Sequence, residues 1–179
     1  MIYYGKIDVN PLGVIWIGVS SIGLKAVMIG GTESQFAALI SRGGISPIPD
    51  DGKFAAASRQ LQEYFSGSRR VFDLDLDIDQ STGFQIDALN AASQIPYGEV
   101  RTYGQLAQEI GRPLSAARAV GRAMATNPIP IVIPCHRVIG SDGSLRGYGG
   151  RGGISTKAWL LRHEGYAAVE QLQLPWQQN

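Results

Sequence analysis

Cysteine is almost absent: the 179 residues hold one, Cys135, which rules out an internal disulfide framework. A lone thiol suits a reducing compartment and leaves two readings, packing filler or reactive nucleophile. Histidine is nearly as scarce. His136, His163 and Cys135 together fall short of the four ligands a structural zinc site normally takes, so neither metal nor cofactor is expected. No apolar run approaches the roughly 20 residues of a membrane helix. The opening Met1-Ile2-Tyr3-Tyr4-Gly5 lacks the basic-then-apolar order of a secretion signal. The expectation is a cytoplasmic chain with no membrane partner.

Charge is thin as well, at 17% of residues against 44% hydrophobic, a composition that suits one ordinary globular domain or two small ones. The formal net charge of +1 conceals an asymmetry. Residues 1–80 carry 7 basic against 9 acidic side chains, whereas residues 96–165 carry 9 against 4. An acidic first half and a basic second half fit a chain of which one part meets a polyanion, although solvated faces carry similar excesses.

The first half reads as a small α/β unit. Val14–Val19 and Leu24–Ile29 are short apolar runs around Ser20–Gly23, the pattern of a hairpin. Ser34–Arg42 and Lys53–Phe65 read as helices, the second with a stripe of Phe54, Leu61, Tyr64 and Phe65. Phe72, Leu74, Leu76 and Ile78 alternate with Asp73, Asp75, Asp77 and Asp79, which predicts a half-buried strand with an acidic outer face. The aspartates lack the glycine turn and closing glutamate of a calcium loop.

Composition turns to loop residues at Gln80–Gly83, placing a boundary near residue 82. A helix is expected from Phe84 to about Gln94, stopped by Ile95-Pro96-Tyr97-Gly98. Thr102 and Gln105 form a capping-box pair for a second helix that Gly111 closes. Ser115 is read as the cap of a third, Ala116–Ala125, so that the last two make a helix-turn-helix. That third helix is nearly bare of large side chains except Arg118 and Arg122, four apart. It either packs closely on its neighbours or lets its backbone approach a groove. Pro128, Pro130 and Pro134 exclude a helix before Cys135 and predict a rigid, buried turn. Gly140–Gly153 has seven glycines in fourteen positions and reads as a surface or active-site loop. Thr156–Gly165 is expected to be the closing helix.

Ordered words surround the cysteine: Ile95-Pro96-Tyr97-Gly98-Glu99-Val100, Tyr103-Gly104-Gln105-Leu106-Ala107, Ala117-Arg118-Ala119-Val120-Gly121, Asn127-Pro128, Pro134-Cys135-His136-Arg137-Val138 and Trp159-Leu160-Leu161-Arg162-His163-Glu164-Gly165. Together they resemble the O6-alkylguanine-DNA alkyltransferases, in detail over residues 83–166. The resemblance implies a small α/β, ribonuclease-H-like domain over 1–82. Over 83–179 it implies a mostly α domain with a helix-turn-helix, winged-helix-like unit. It also implies direct-reversal DNA repair, the irreversible single-turnover transfer of an alkyl group from guanine O6 to Cys135, with O4-alkylthymine as a second candidate substrate. The implied catalytic set is Cys135, His136 as base through a water, Glu164 as its orienter, Tyr103 near the purine and Asn127 bracing the turn. Val138, Pro130, Tyr148 and Gly149 are implied substrate neighbours, the Cys135 carbonyl and Val138 amide holding the purine edge. Arg118 is implied to fill the hole left by a flipped base, with Ala117, Ala119, Gly121 and Ala123 toward the minor groove of double-stranded DNA, and Arg122 either at a phosphate or only on the surface. The implied protein is a monomer, nucleoid-associated in a prokaryote.

Two features depart from the family pattern: Gly149 stands where serine is common, and Tyr148–Lys157 is about two residues longer. Both imply a wider pocket. Three other classes share part of the pattern. A non-catalytic lesion-binding relative would lack the reactive cysteine. A cysteine hydrolase would leave the arginine helix unexplained, and a thiol redox sensor would oxidise reversibly without an alkyl adduct.

Overall fold

The computed structural model describes residues 1–41, 46–50, 52–78, 82–146, 148 and 152–166. The chain forms two compact units, Met1–Asp79 and Gln80–Asn179.

In the first unit, β1 (Ile2–Val9), β2 (Gly13–Ser20) and β3 (Leu24–Ile29) make an antiparallel meander, and β4 (Ile48–Pro49) joins β1 in parallel. The order is β3-β2-β1-β4. Alternation along each strand sends side chains to opposite faces. Ile2, Tyr4, Trp16 and Ala26 pack with Phe36 and Ile40 of α1 (Glu33–Ile40). On the other face Phe54, just before α2 (Ala55–Phe65), lies over Gly5, where a Cβ would come within 1.8 Å of its ring. The expected hairpin is present, the expected helices are α1 and α2 with shifted ends, Arg42 lies outside the described residues, and β1 is an additional strand.

The aspartate ladder is less regular than expected. Asp79 lies outside the described residues; among those described, the ladder makes one isolated bridge, Leu24 to Leu76, on the edge of β3. Asp77 turns inward: its carboxylate accepts from Ser20 Oγ at 2.6 Å and pairs with Lys25 Nζ at 2.9 Å. An inward carboxylate is tolerable because it is hydrogen-bonded and paired. Close approach at this edge requires Gly23, where a Cβ would sit 2.2 Å from the Asp75 carbonyl oxygen.

The second unit is mostly helical. Here α3 is Gly83–Ser93, α4 Tyr103–Glu109, α5 Ala117–Ala125 and α6 Gly153–His163. The strands β5 (Arg101–Thr102) and β6 (Val138–Ile139) pair in parallel, tying the start of α4 to the segment after Cys135. The capping box at α4 forms as read, with Gln105 N donating to Thr102 Oγ1 and Thr102 N to Gln105 Oε1. Ser115 is not a cap. It lies in a 3-10 turn, Leu114–Ala116, and α5 begins at Ala117 with no side-chain cap. The closing helix starts about one turn earlier than expected, taking up Gly153–Ser155 of the long loop. Among the described residues no helix is long and apolar enough to cross a membrane.

Gly23→Ala is expected to lose about 1–3 kcal/mol of stability through overpacking against backbone that cannot yield, read as a lower urea midpoint for the first unit.

Candidate active site

Cys135 sits on a turn built by its own prolines. Pro134, at φ −82° and ψ 61°, has the dihedrals of an inverse γ-turn, and the Cys135 amide donates back to the Ile133 carbonyl at 2.8 Å. Cys135–Arg137 then form one 3-10 turn, all three residues buried. Asn127 braces the approach from both ends: its Nδ2 donates to the Ile133 carbonyl at 2.9 Å and its Oδ1 accepts from the Ile129 amide at 3.0 Å. Between them Ile131 is held at φ +77°, a region that β-branched side chains rarely adopt. Its complete burial offsets that strain. Pro130 is buried beside it.

The imidazole of His136 is fully buried and its Nε2 lies 2.8 Å from Glu164 Oε1. With the proton on Nε2, Nδ1 is the basic nitrogen. This Nδ1 is enclosed and has no hydrogen-bond partner among the described residues. Glu164 is held on several sides. Arg137 donates to both carboxylate oxygens, Nε at 2.8 Å and Nη2 at 2.9 Å, and the Gly98 amide adds a third donor at 3.2 Å. Although burial works to raise the Glu164 pKa, His136 and Arg137 hold it well below the ordinary carboxylate range. Burial lowers the His136 pKa against the pull of Glu164, which keeps the ring neutral and able to accept a proton.

Burial also raises the Cys135 thiol. Opposing it are a hydrogen bond from the Asn127 side chain, the charge of Lys157, and the amides of Cys135 and His136. The resting group is therefore a thiol in a cradle of donors that favour the anion.

Lys157 was not among the residues read from the sequence. Its ammonium is fully buried and donates to the Val138 carbonyl at 2.5 Å, the Arg146 carbonyl at 3.1 Å and the Tyr103 hydroxyl at 3.3 Å. Desolvation brings it down to about 8, with Cys135 opposing the shift. A signal existed: Lys157 precedes Leu160 and Leu161 by three and four residues, on the apolar face of the closing helix.

The other expected residues fall as follows. Tyr103 Oη donates to the Arg146 carbonyl at 2.9 Å, and burial pushes its phenol up to about 12. The Val138 amide, assigned by resemblance to the purine, instead donates to the Cys135 carbonyl; that carbonyl oxygen keeps a second lone pair. Tyr148 is half-buried, with its hydroxyl enclosed and unpaired among the described residues. Gly149 lies outside the described residues. On α5, Arg118, Ala119 and Arg122 are exposed and Ala117 and Gly121 half-buried. Ala123 does not join that face; it is buried with Val120 and Met124 at helical spacing. Among the described residues no His, Cys, Asp and Glu cluster could hold a metal ion.

Comparison with known proteins agrees with this architecture. The profile for the 6-O-methylguanine DNA methyltransferase DNA-binding domain matches residues 83–166, and that for the family's ribonuclease-like domain matches residues 2–78. The methylated-DNA–protein-cysteine methyltransferase of Methanosarcina acetivorans is 41% identical over 163 residues, covering 91% of this chain and 98% of the relative. That of Mycobacterium tuberculosis is 50% identical over 126 residues, covering 70% and 74%. The crystal structure of Mycobacterium tuberculosis OGT in complex with DNA superposes with a TM-score of 0.78 at 42% identity, covering 90% of this chain and 92% of that one. The chain belongs to the 6-O-methylguanine DNA methyltransferase family.

The depressed Glu164 pKa has a defined sign. Its stabilisation is present above the unfolded carboxylate pKa of about 4.3 and declines as pH falls through and below it. The stability gap between the natural chain and Glu164→Gln is therefore expected to narrow below that pH, by up to about 1.4 kcal/mol per pH unit. Urea denaturation at stepped pH measures it.

Proposed function

We propose that the chain is a methylated-DNA–protein-cysteine methyltransferase that moves an alkyl group from guanine O6 in duplex DNA to Cys135, once per molecule. The observation that carries this reading is the buried Cys135 thiol next to a neutral His136 that Glu164 orients from behind. Displacement at the alkyl carbon needs a soft nucleophile, and a thiolate is the strongest one a protein offers.

The thiol proton passes to His136 Nδ1 through one bridging water, in the logic of nucleophile, base and orienter. The new bond is from Cys135 Sγ to the alkyl carbon, and the bond that breaks joins that carbon to O6. Lys157 holds the thiolate by charge. The departing guanine is an anion until it gains a proton on its ring. Tyr103 supplies that proton by turning its hydroxyl from the Arg146 carbonyl, while the Lys157 ammonium lowers the cost of the phenolate. The Cys135 carbonyl is the acceptor for the purine edge; Pro130 and Tyr148 flank the alkyl group. A thioether is a stable product and the chain has no second cysteine to receive the group, so the reaction stops at one turnover.

A thiol this buried reaches only a base that has left the stack. The exposed face of α5 is the surface for the minor groove, with Arg118 filling the hole and Ala117, Ala119 and Gly121 allowing close approach. The reading is of a monomer acting on double-stranded DNA.

Incubation with a duplex carrying O6-methylguanine is expected to add the mass of one methyl group to the natural chain and none to Cys135→Ser, by intact mass spectrometry. Transfer by the serine variant, or repeated turnover, would overturn the assignment. Arg118→Ala is expected to slow the duplex reaction at least tenfold while changing the reaction with free alkylated guanine less than twofold, in single-turnover assays. Equal losses on both substrates would place Arg118 in the fold instead.

A further inference from the structure

The loop between β6 and α6 carries a cation that the transfer step does not use. The Arg146 carbonyl is fixed in the site by Tyr103 Oη and Lys157 Nζ. The Tyr103 ring in turn lies against α5, 3.9 Å from where a Cβ of Gly121 would be. The backbone of Arg146 is thus anchored beside the face of α5 assigned above to DNA. Its side chain leaves the site and is 68% exposed.

That side chain is folded back rather than extended. Its Nε donates to Ser144 Oγ at 3.0 Å and its Nη2 to Asp142 Oδ2 at 2.8 Å. Ser144 also donates to Asp142 Oδ1, from Oγ at 2.6 Å and from its amide at 3.1 Å. These donors hold the Asp142 carboxyl below its usual range, so it is charged whenever DNA is present. The ring closes over Gly140, where a Cβ would lie 2.5 Å from Asp142 Oδ1 and 3.2 Å from Arg146 Nε. An ion pair with both partners this exposed is weak and screened. A duplex brought to α5 would offer phosphate oxygens to the same guanidinium and would repel Asp142. Arginine suits such an exchange because its planar fork fits carboxylate and phosphate alike.

We infer that Arg146 is a DNA phosphate contact held in reserve by Asp142, the guanidinium passing from the carboxylate to the backbone of the duplex when the protein docks. The inference rests on the alkyltransferase reading for the identity of the ligand. It adds a contact outside α5 and a device that shields that cation until DNA arrives.

The test is duplex binding across a salt series, by fluorescence anisotropy, with a short duplex containing O6-methylguanine. The proteins are Cys135→Ser, which keeps the alkyl group in place, and the same chain with Arg146→Ala, Arg146→Lys, Asp142→Asn, or Arg146→Ala with Asp142→Asn. Arg146→Ala is expected to weaken binding 3- to 10-fold near 0.1 M salt, and to reduce the slope of log affinity against log salt by about 0.9, the value for one phosphate. Arg146→Lys should restore the slope. Asp142→Asn should tighten binding about threefold only while Arg146 is present. An unchanged slope in Arg146→Ala overturns the inference. So does equal tightening by Asp142→Asn in both backgrounds, which would mark simple removal of a negative charge. Intact mass of the natural chain on the same duplex separates the two levels. No alkyl gain defeats the underlying reading, whereas alkyl gain with an unchanged slope defeats only the role of Arg146.

Discussion

The buried carboxylate of Glu164 is the point on which the second unit turns. Its two oxygens accept from His136, from Arg137 twice and from the Gly98 amide. These donors come from the turn after α3 and the turn bearing the cysteine, while Glu164 itself ends α6. Arg137 extends the tie by donating to the Ile95 carbonyl at 2.5 Å. A buried ion pair is costly unless hydrogen bonds serve its remaining groups, and here both Glu164 oxygens and all three Arg137 nitrogens are engaged. The same contacts set the chemistry. Arg137 neutralises the carboxylate, so that Glu164 can orient His136 without forcing a proton onto it.

Around this tie the site works by opposition. Enclosure favours the neutral thiol, while Asn127, Lys157 and two backbone amides favour the anion. A permanently ionised sulfur would be open to oxidation. In the proposed reaction a thiol in a donor-lined turn instead becomes a thiolate as His136 takes up its proton. Ile131 belongs to the same balance. Its left-handed backbone is an unfavourable local choice held by full burial and by the two Asn127 bonds on either side.

Much of this was legible in the chain because it is local. The Thr102–Gln105 cap, the glycine stop at Gly111 and the proline-built turn are each encoded within a few residues, and each formed. The cysteine with its histidine and the distant glutamate was legible only through ordered words resembling a family, since no periodicity brings residue 164 to residue 136. Reading failed where tertiary contacts override local preference. Asp77 stands in an alternation that would send it outward, yet Ser20 and Lys25 draw it inward. Ser115 has the right chemistry for a cap, but the 3-10 turn places it outside the capping position. The spacing of Lys157 before Leu160 and Leu161 marks it as inward, but gives no sign of the three oxygens from separate segments that converge on its ammonium. Ala123 belongs to the i, i+3, i+4 stripe with Val120 and Met124, a spacing that places it inside.

In the alkyltransferase reading the outward face of α5 bears on how lesions are found. Alanine and glycine can offer a groove almost no hydrogen bonds to base edges, so the donors on the exposed face of α5 are those of Arg118 and Arg122 alone. Nonspecific affinity grows with the number of phosphates neutralised, and the exposed cations of α5 are two, Arg118 and Arg122. So few phosphate contacts would favour brief residence at each stop, which suits a molecule that in the proposed reaction acts once.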